Sequence, residues 1–117
     1  MTDNPAPTGC FTEDDLVAGP TFKGVTTGLA WGDNLMFSLV TFEPDGFVPE
    51  HHHPHEQAGI CLEGEFELVV EGRPRIIKPG QMYLIPGNTP HAARGLAAPA
   101  KTLDVFSPPR EDYKPSS

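Results

Sequence analysis

The sequence is poor in cysteine and in positive charge, and it has no long apolar run. Its two cysteines, Cys10 and Cys61, are far apart and form no CxxC pair, so no disulfide is expected. Cys61 lies in an apolar stretch and reads as a small core residue. Lys and Arg number 8 against 16 Asp and Glu, a net charge of −8. No basic patch is available to displace counterions from phosphates, which argues against a nucleic-acid partner. An anionic small molecule remains admissible if a local cation holds it, either a bound metal or one well-placed arginine. No apolar run approaches the roughly 20 residues needed to cross a membrane. Met1-Thr2-Asp3-Asn4-Pro5 has neither the basic start nor the hydrophobic segment of a secretion signal, which makes the cytoplasm the expected location. Helical periodicity is also missing.

What the chain does have is punctuation. Glycine (12) and proline (14) are spread along it, and short runs rich in Val, Ile, Phe, Thr and Leu lie between them. This spacing predicts an all-β sandwich or barrel in a single domain of 117 residues. Residues 1–19 form an N-terminal segment, loose at its start, and Thr12-Glu13-Asp14-Asp15-Leu16 is compatible with one capped helical turn. Strands are expected at Thr21–Trp31, Leu35–Phe42, Phe47–His53, Gln57–Leu62, Phe66–Val70, Arg75–Lys78, Met82–Ile85, from His91, and at Lys101–Phe106. The pattern predicts a chain break at Pro44-Asp45-Gly46 and pairing of Gln57–Leu62 with Phe47–His53. The barrel is expected over 20–107, and 108–117 is a proline-rich tail.

Four of the five histidines fall in His51-His52-His53-Pro54-His55, and the fifth is His91. Neutral imidazole is the commonest protein ligand for transition metals. In a strand, residues i and i+2 share a face, so His51 and His53 point together and His52 points away. Gln57 can return to the same face, and His91 can join from a second hairpin. His55 is an alternative to Gln57, and a solvated His-Pro turn with no metal is the bland alternative to the whole site.

Gly46-x4-His51-x-His53-x3-Gln57-x6-Gly64, followed by Gly80-x5-Pro86-Gly87 and then His91, resembles the two motifs of the cupin superfamily. The resemblance implies a double-stranded β-helix, or jelly-roll barrel, holding one divalent transition metal: Ni, Zn, Mn, Fe or Co. Two positions depart from the usual pattern. Gln57 stands where most cupins have Glu, and Arg94 and Gly95 stand where an Asn often follows the last histidine. An amide cancels none of the metal's charge, so the site keeps a net +2 and favours anionic oxygen ligands.

The strand Leu103-Asp104-Val105-Phe106 runs into Ser107-Pro108-Pro109-Arg110-Glu111-Asp112. Alternation puts Asp104 and Phe106 on one face, with Leu103 and Val105 on the core side or in sheet packing. An ordinary edge strand with a solvated tail is the plain alternative. Together with His51 to Gln57, this stretch resembles the KdgF family of small cupins from pectin and alginate degradation. The resemblance implies an enzyme that converts cyclic 4,5-unsaturated monouronates, small anionic sugar acids, to linear 5-keto-4-deoxyuronates. His51, His53, Gln57 and His91 would be the metal ligands, Asp104 the catalytic acid/base, and Phe106 and Arg110 the sugar contacts. An iron-dependent oxygenase, a lyase or a non-catalytic sugar- or effector-binding module on the same scaffold are competing expectations. A homodimer paired through edge strands is also expected.

Overall fold

The computed structural model describes residues 5–115. Four residues of the N-terminal segment (1–4), most of the Met1–Pro5 stretch, and two of the tail (116–117) lie outside the described residues. One 3-10 turn, Glu13–Asp15, precedes nine strands. The Asp15 carboxylate accepts from the Thr12 backbone N–H at 2.9 Å, which supplies the expected cap. The strands are β1 (Val17–Ala18), β2 (Lys23–Trp31), β3 (Met36–His51), β4 (Glu56–Glu63), β5 (Phe66–Val70), β6 (Arg73–Ile77), β7 (Met82–Ile85), β8 (His91–Gly95) and β9 (Ala100–Ser107). They pair antiparallel in the order β6-β5-β8-β3-β9-β4-β7, with β2 added beside β3 and β1 beside β2. The result is the expected all-β jelly-roll barrel.

Strand β3 organises the barrel. It is 16 residues long and serves three neighbours: β2 along one edge, and on the other Met36–Phe42 pairs with β9 and Phe47–His51 with β8. The chain break expected at Pro44-Asp45-Gly46 is instead a bend inside this strand. Asp45 takes a positive φ of 60°, and the register of β2 against β3 slips between Lys23 and Val25. A Cβ on Gly46 would overlap the carbonyl of Gly24, so two glycines let the backbones meet at the corner. The turn chemistry was correctly placed, but ladder hydrogen bonds on both sides carry the strand through it.

A second expectation fails. Gln57–Leu62 does not pair with Phe47–His53; β4 pairs with β7 and β9. Residues 52–55 cross the barrel mouth rather than turning back, and β3 ends at His51. The crossing is fixed by the Pro86–Asn88 turn: the Asn88 N–H donates to the His53 carbonyl at 2.7 Å, and Gly87 leaves no room for a side chain against the Pro54 carbonyl. Arg73 and Pro74, expected in a turn, open β6. The turn is Glu71-Gly72, both at positive φ, which matches the twist of a tight hairpin.

Burial divides the interior in two. One end is apolar, with Val25, Val40, Phe42, Cys61, Phe66, Leu68, Ile77 and Ile85 in one cluster and Phe42 stacked on Phe66 at 5.1 Å. The other end gathers buried polar groups: Ser38, His53, Gln57, His91, Asp104 and Arg110. Beside them Ala6, Leu29, Trp31, Met36 and Phe106 form a second cluster. On β9 the inward residues are Thr102, Asp104 and Phe106, while Leu103 and Val105 are half-buried on the outer face.

Candidate metal centre

His51 ends β3, and His91 opens β8 as its cross-strand partner. Their ring centroids are 4.3 Å apart. His53, two residues on in the crossing segment, lies 5.1 Å from His91 and 5.7 Å from His51. One ring nitrogen of each of the three lies within 4.8 Å of the others, so together they can hold a metal ion. His52 is exposed and His55 stays outside this group.

Each imidazole is oriented by its own backbone. Nδ1 of His51 bonds the Pro49 carbonyl at 2.8 Å, Nδ1 of His53 the His55 carbonyl at 3.1 Å, and Nδ1 of His91 the Thr89 carbonyl at 2.8 Å. A carbonyl only accepts, so Nδ1 carries the proton and Nε2 keeps its lone pair, the arrangement of metal-ligating histidines. Nε2 of His91 is buried and has no partner in the protein. Burial lowers the pKa of all three, with that of His53 brought to about 4, so they are neutral donors at pH 7. The residues fit a divalent cation.

Gln57 links this cluster to the candidate acid. Its Oε1 is 3.1 Å from His53 Nε2, and its Nε2 donates to Asp104 Oδ2 at 3.1 Å. An amide can present an acceptor to one side and a donor to the other. A carboxylate at 57 would face Asp104 with a second negative charge. Asp104 lies inside the barrel, and burial pushes its carboxyl up to about 7 against the opposing effect of its two hydrogen bonds. The second bond comes from the Tyr83 hydroxyl to Oδ1. Burial raises the Tyr83 pKa, which keeps that hydroxyl protonated. Sequence reading missed Tyr83. The signal was alternation, which turns Tyr83 inward with Ile85, where a phenol needs a polar partner.

Arg110 is not in a solvated tail. It is 8% exposed and folds back against Phe106, and its guanidinium lies 3.9 Å from the centre of the Tyr113 ring. Asp112 takes Nε at 3.4 Å and one terminal nitrogen at 2.9 Å. The other terminal nitrogen is buried without a partner. Phe106 packs edge-on against His53 at 5.5 Å. A cavity of about 50 Å3 has His51, Gln57, His91, Asp104, Phe106 and Tyr113 in its lining.

A jelly-roll barrel with imidazoles gathered from two strands and a crossing loop is the architecture of a cupin. A cupin-domain family model matches residues 38–106. The chain is 35% identical over 86 residues to the pectin degradation protein KdgF of Dickeya dadantii, covering 73% of this chain and 78% of that protein. The structure of KdgF from Halomonas sp. aligns with a TM-score of 0.80 at 30% identity, over 90% of this chain and 98% of that one. L-ectoine synthase of Aliivibrio fischeri is 31% identical over 104 residues, 86% of this chain and 80% of that protein. The chain belongs to the cupin family and, within it, to the KdgF family.

Proposed function

We propose that this protein is a metal-dependent enzyme that converts cyclic 4,5-unsaturated monouronates to linear 5-keto-4-deoxyuronates in uronic-acid polysaccharide breakdown. One observation carries the reading: the buried Asp104 touches Gln57, whose carbonyl oxygen lies 3.1 Å from His53 of the three-imidazole cluster, and the buried Arg110 keeps an unpartnered nitrogen. A divalent ion (Ni, Zn, Mn, Fe or Co) held by His51, His53, His91 and the Gln57 carbonyl supplies Lewis-acid stabilisation of negative charge on substrate oxygen.

Asp104 takes the proton of the anomeric hydroxyl as the bond from that carbon to the ring oxygen breaks. The electron pair released stays on the ring oxygen, which becomes an enolate at C5. Asp104 then returns the proton to C4, and the enolate becomes a ketone. Arg110 pairs with the substrate carboxylate, offering in-plane donors that Lys cannot copy. Phe106 forms the apolar wall against the sugar ring.

The test follows the ultraviolet absorbance of the substrate double bond. Metal-loaded protein should abolish it, and Asp104→Ala should be slower by about 10²- to 10⁴-fold. No loss beyond a buffer control rejects the function. A wild-type rate in Asp104→Ala rejects the role of Asp104.

The homodimer and the cytoplasm belong to the same proposal. Among the described residues no helix is long and apolar enough to cross a membrane. Two apolar rows cross the outer face of β3, β9, β4 and β7: Phe37, Val105, Ala58, Leu84 and Leu39, Leu103, Ile60, Met82. Leu84 and Met82 are 63% and 74% exposed on edge strand β7, whereas the opposite edge, β6, is guarded by Arg73, Pro74 and Arg75. A second copy fits the bare edge. Sedimentation should show a dimer that Met82→Glu/Leu84→Glu dissociates; a monomeric wild type rejects it.

A further inference from the structure

One inward row of the barrel reads Ser38, Asp104, Gly59, Tyr83 across β3, β9, β4 and β7. Tyr83 and Asp104 are therefore two strands apart, about 10 Å between backbones at the usual strand spacing. A hydrogen bond over that gap needs a long side chain on one strand and no side chain between. Gly59 provides the gap: a Cβ there would overlap the Tyr83 ring and its hydroxyl. The ring lies across Gly59, and the hydroxyl reaches Asp104 Oδ1. Thr102 Oγ1, 2.7 Å from the same hydroxyl and 3.1 Å from the Ile60 carbonyl, holds its far side.

We propose that Tyr83, seated over Gly59, is a positioning residue that fixes the Asp104 carboxyl in the plane where Oδ2 faces Gln57. Tyr83 lines the cavity but acts through Asp104. With Oδ1 held from β7 and Oδ2 from β4, the side chain cannot rotate, so the oxygen that exchanges a proton with substrate keeps one position. Phenylalanine would fill the same volume and leave Oδ1 free. Alanine at 59 would keep the hydroxyl but push it off line. Both arms are side chains on strands held in place by main-chain register.

The inference rests on the proposed reaction for its kinetic consequence alone, and two measurements separate the two. On unsaturated monouronate, Tyr83→Phe and Gly59→Ala should each lower kcat about 10- to 100-fold with KM within about twofold, and the double variant should be no worse than the lower single. Metal affinity by calorimetry should be unchanged in all three. Independently of turnover, urea unfolding of the metal-free protein should show coupling. The midpoint loss in Tyr83→Phe/Asp104→Asn should fall short of the sum of the two single losses. Additive midpoints overturn the positioning role, as does wild-type kcat in Tyr83→Phe. If the wild type does not turn over the monouronate, the proposed reaction fails and the unfolding cycle alone decides.

Discussion

At the scale of the residue, the informative position is Gln57. Its neutrality leaves charge on a bound cation, as its sequence suggests. The fold adds a second reason, because its Nε2 lies 3.1 Å from Asp104 Oδ2. Glutamate there would bring two carboxylates to that distance, and they cannot both ionise. Gln57→Glu is therefore expected to retain metal, since carboxylate is a good ligand, while kcat falls at least about 100-fold. Parallel metal titration and turnover check this; near-normal kcat would remove the bridging role of the amide. The second informative residue is Arg110, whose fork is half occupied by Asp112 and half unpartnered. A surface arginine would satisfy all its donors with water. Burying one without a partner costs free energy unless a ligand meets it.

At the scale of the element, the site depends on the bend in β3. Past Gly46 the strand leaves β9 and pairs with β8, which brings His51 opposite His91. Gly46→Ala would drive a Cβ into the Gly24 carbonyl, and neither backbone can retreat without breaking the β2–β3 ladder. The expected cost is about 1–3 kcal/mol of stability, read from urea midpoints. Metal affinity should fall with it, because the His51–His91 register is set downstream of the bend. Gly80→Ala offers the control: it adds a Cβ into open space in the β6–β7 turn, which is tied to the Cys61 carbonyl at the apolar end of the barrel. It should lose some stability through its positive φ of 84° yet keep metal affinity. Equal metal affinities in the two variants would show that the bend does not set the register.

At the scale of the molecule, the question is how a chain of net charge −8 could present a site for the proposed acid substrate. The anionic residues lie largely on the outside, while three neutral imidazoles, an amide and Arg110 face inward. A cation bound there links to folding, since the three imidazoles come together only in the barrel. A divalent ion at about 100 times its Kd stabilises the folded state by about 2.7 kcal/mol, a rise in Tm on the order of 10 °C for a chain this size. Melting curves with Ni, Zn, Mn, Fe and Co, each reversed by a chelator, check this. No shift with any of them would count against a metal at this site.

Sequence alone determined the class of fold and where the imidazoles cluster. Glycine and proline spacing set the number of strands and most of their turns, and period-two alternation set which side chains of β9 and β7 face inward. These are local properties, governed by neighbours a few residues apart. Strand partners are another matter. Nothing near Gln57 says that β4 pairs with β9 instead of β3, since either pairing would satisfy its backbone groups. Only closure of the barrel decided it, and with it the meeting of Gln57 and Asp104, 47 residues apart. Closure also brought in Tyr83, which carries no motif, and turned a proline-rich tail into a wall of the cavity by stacking Tyr113 on Arg110. The residues that make the site specific lie on strands joined by long-range register, and register is fixed only when every strand has found its neighbour.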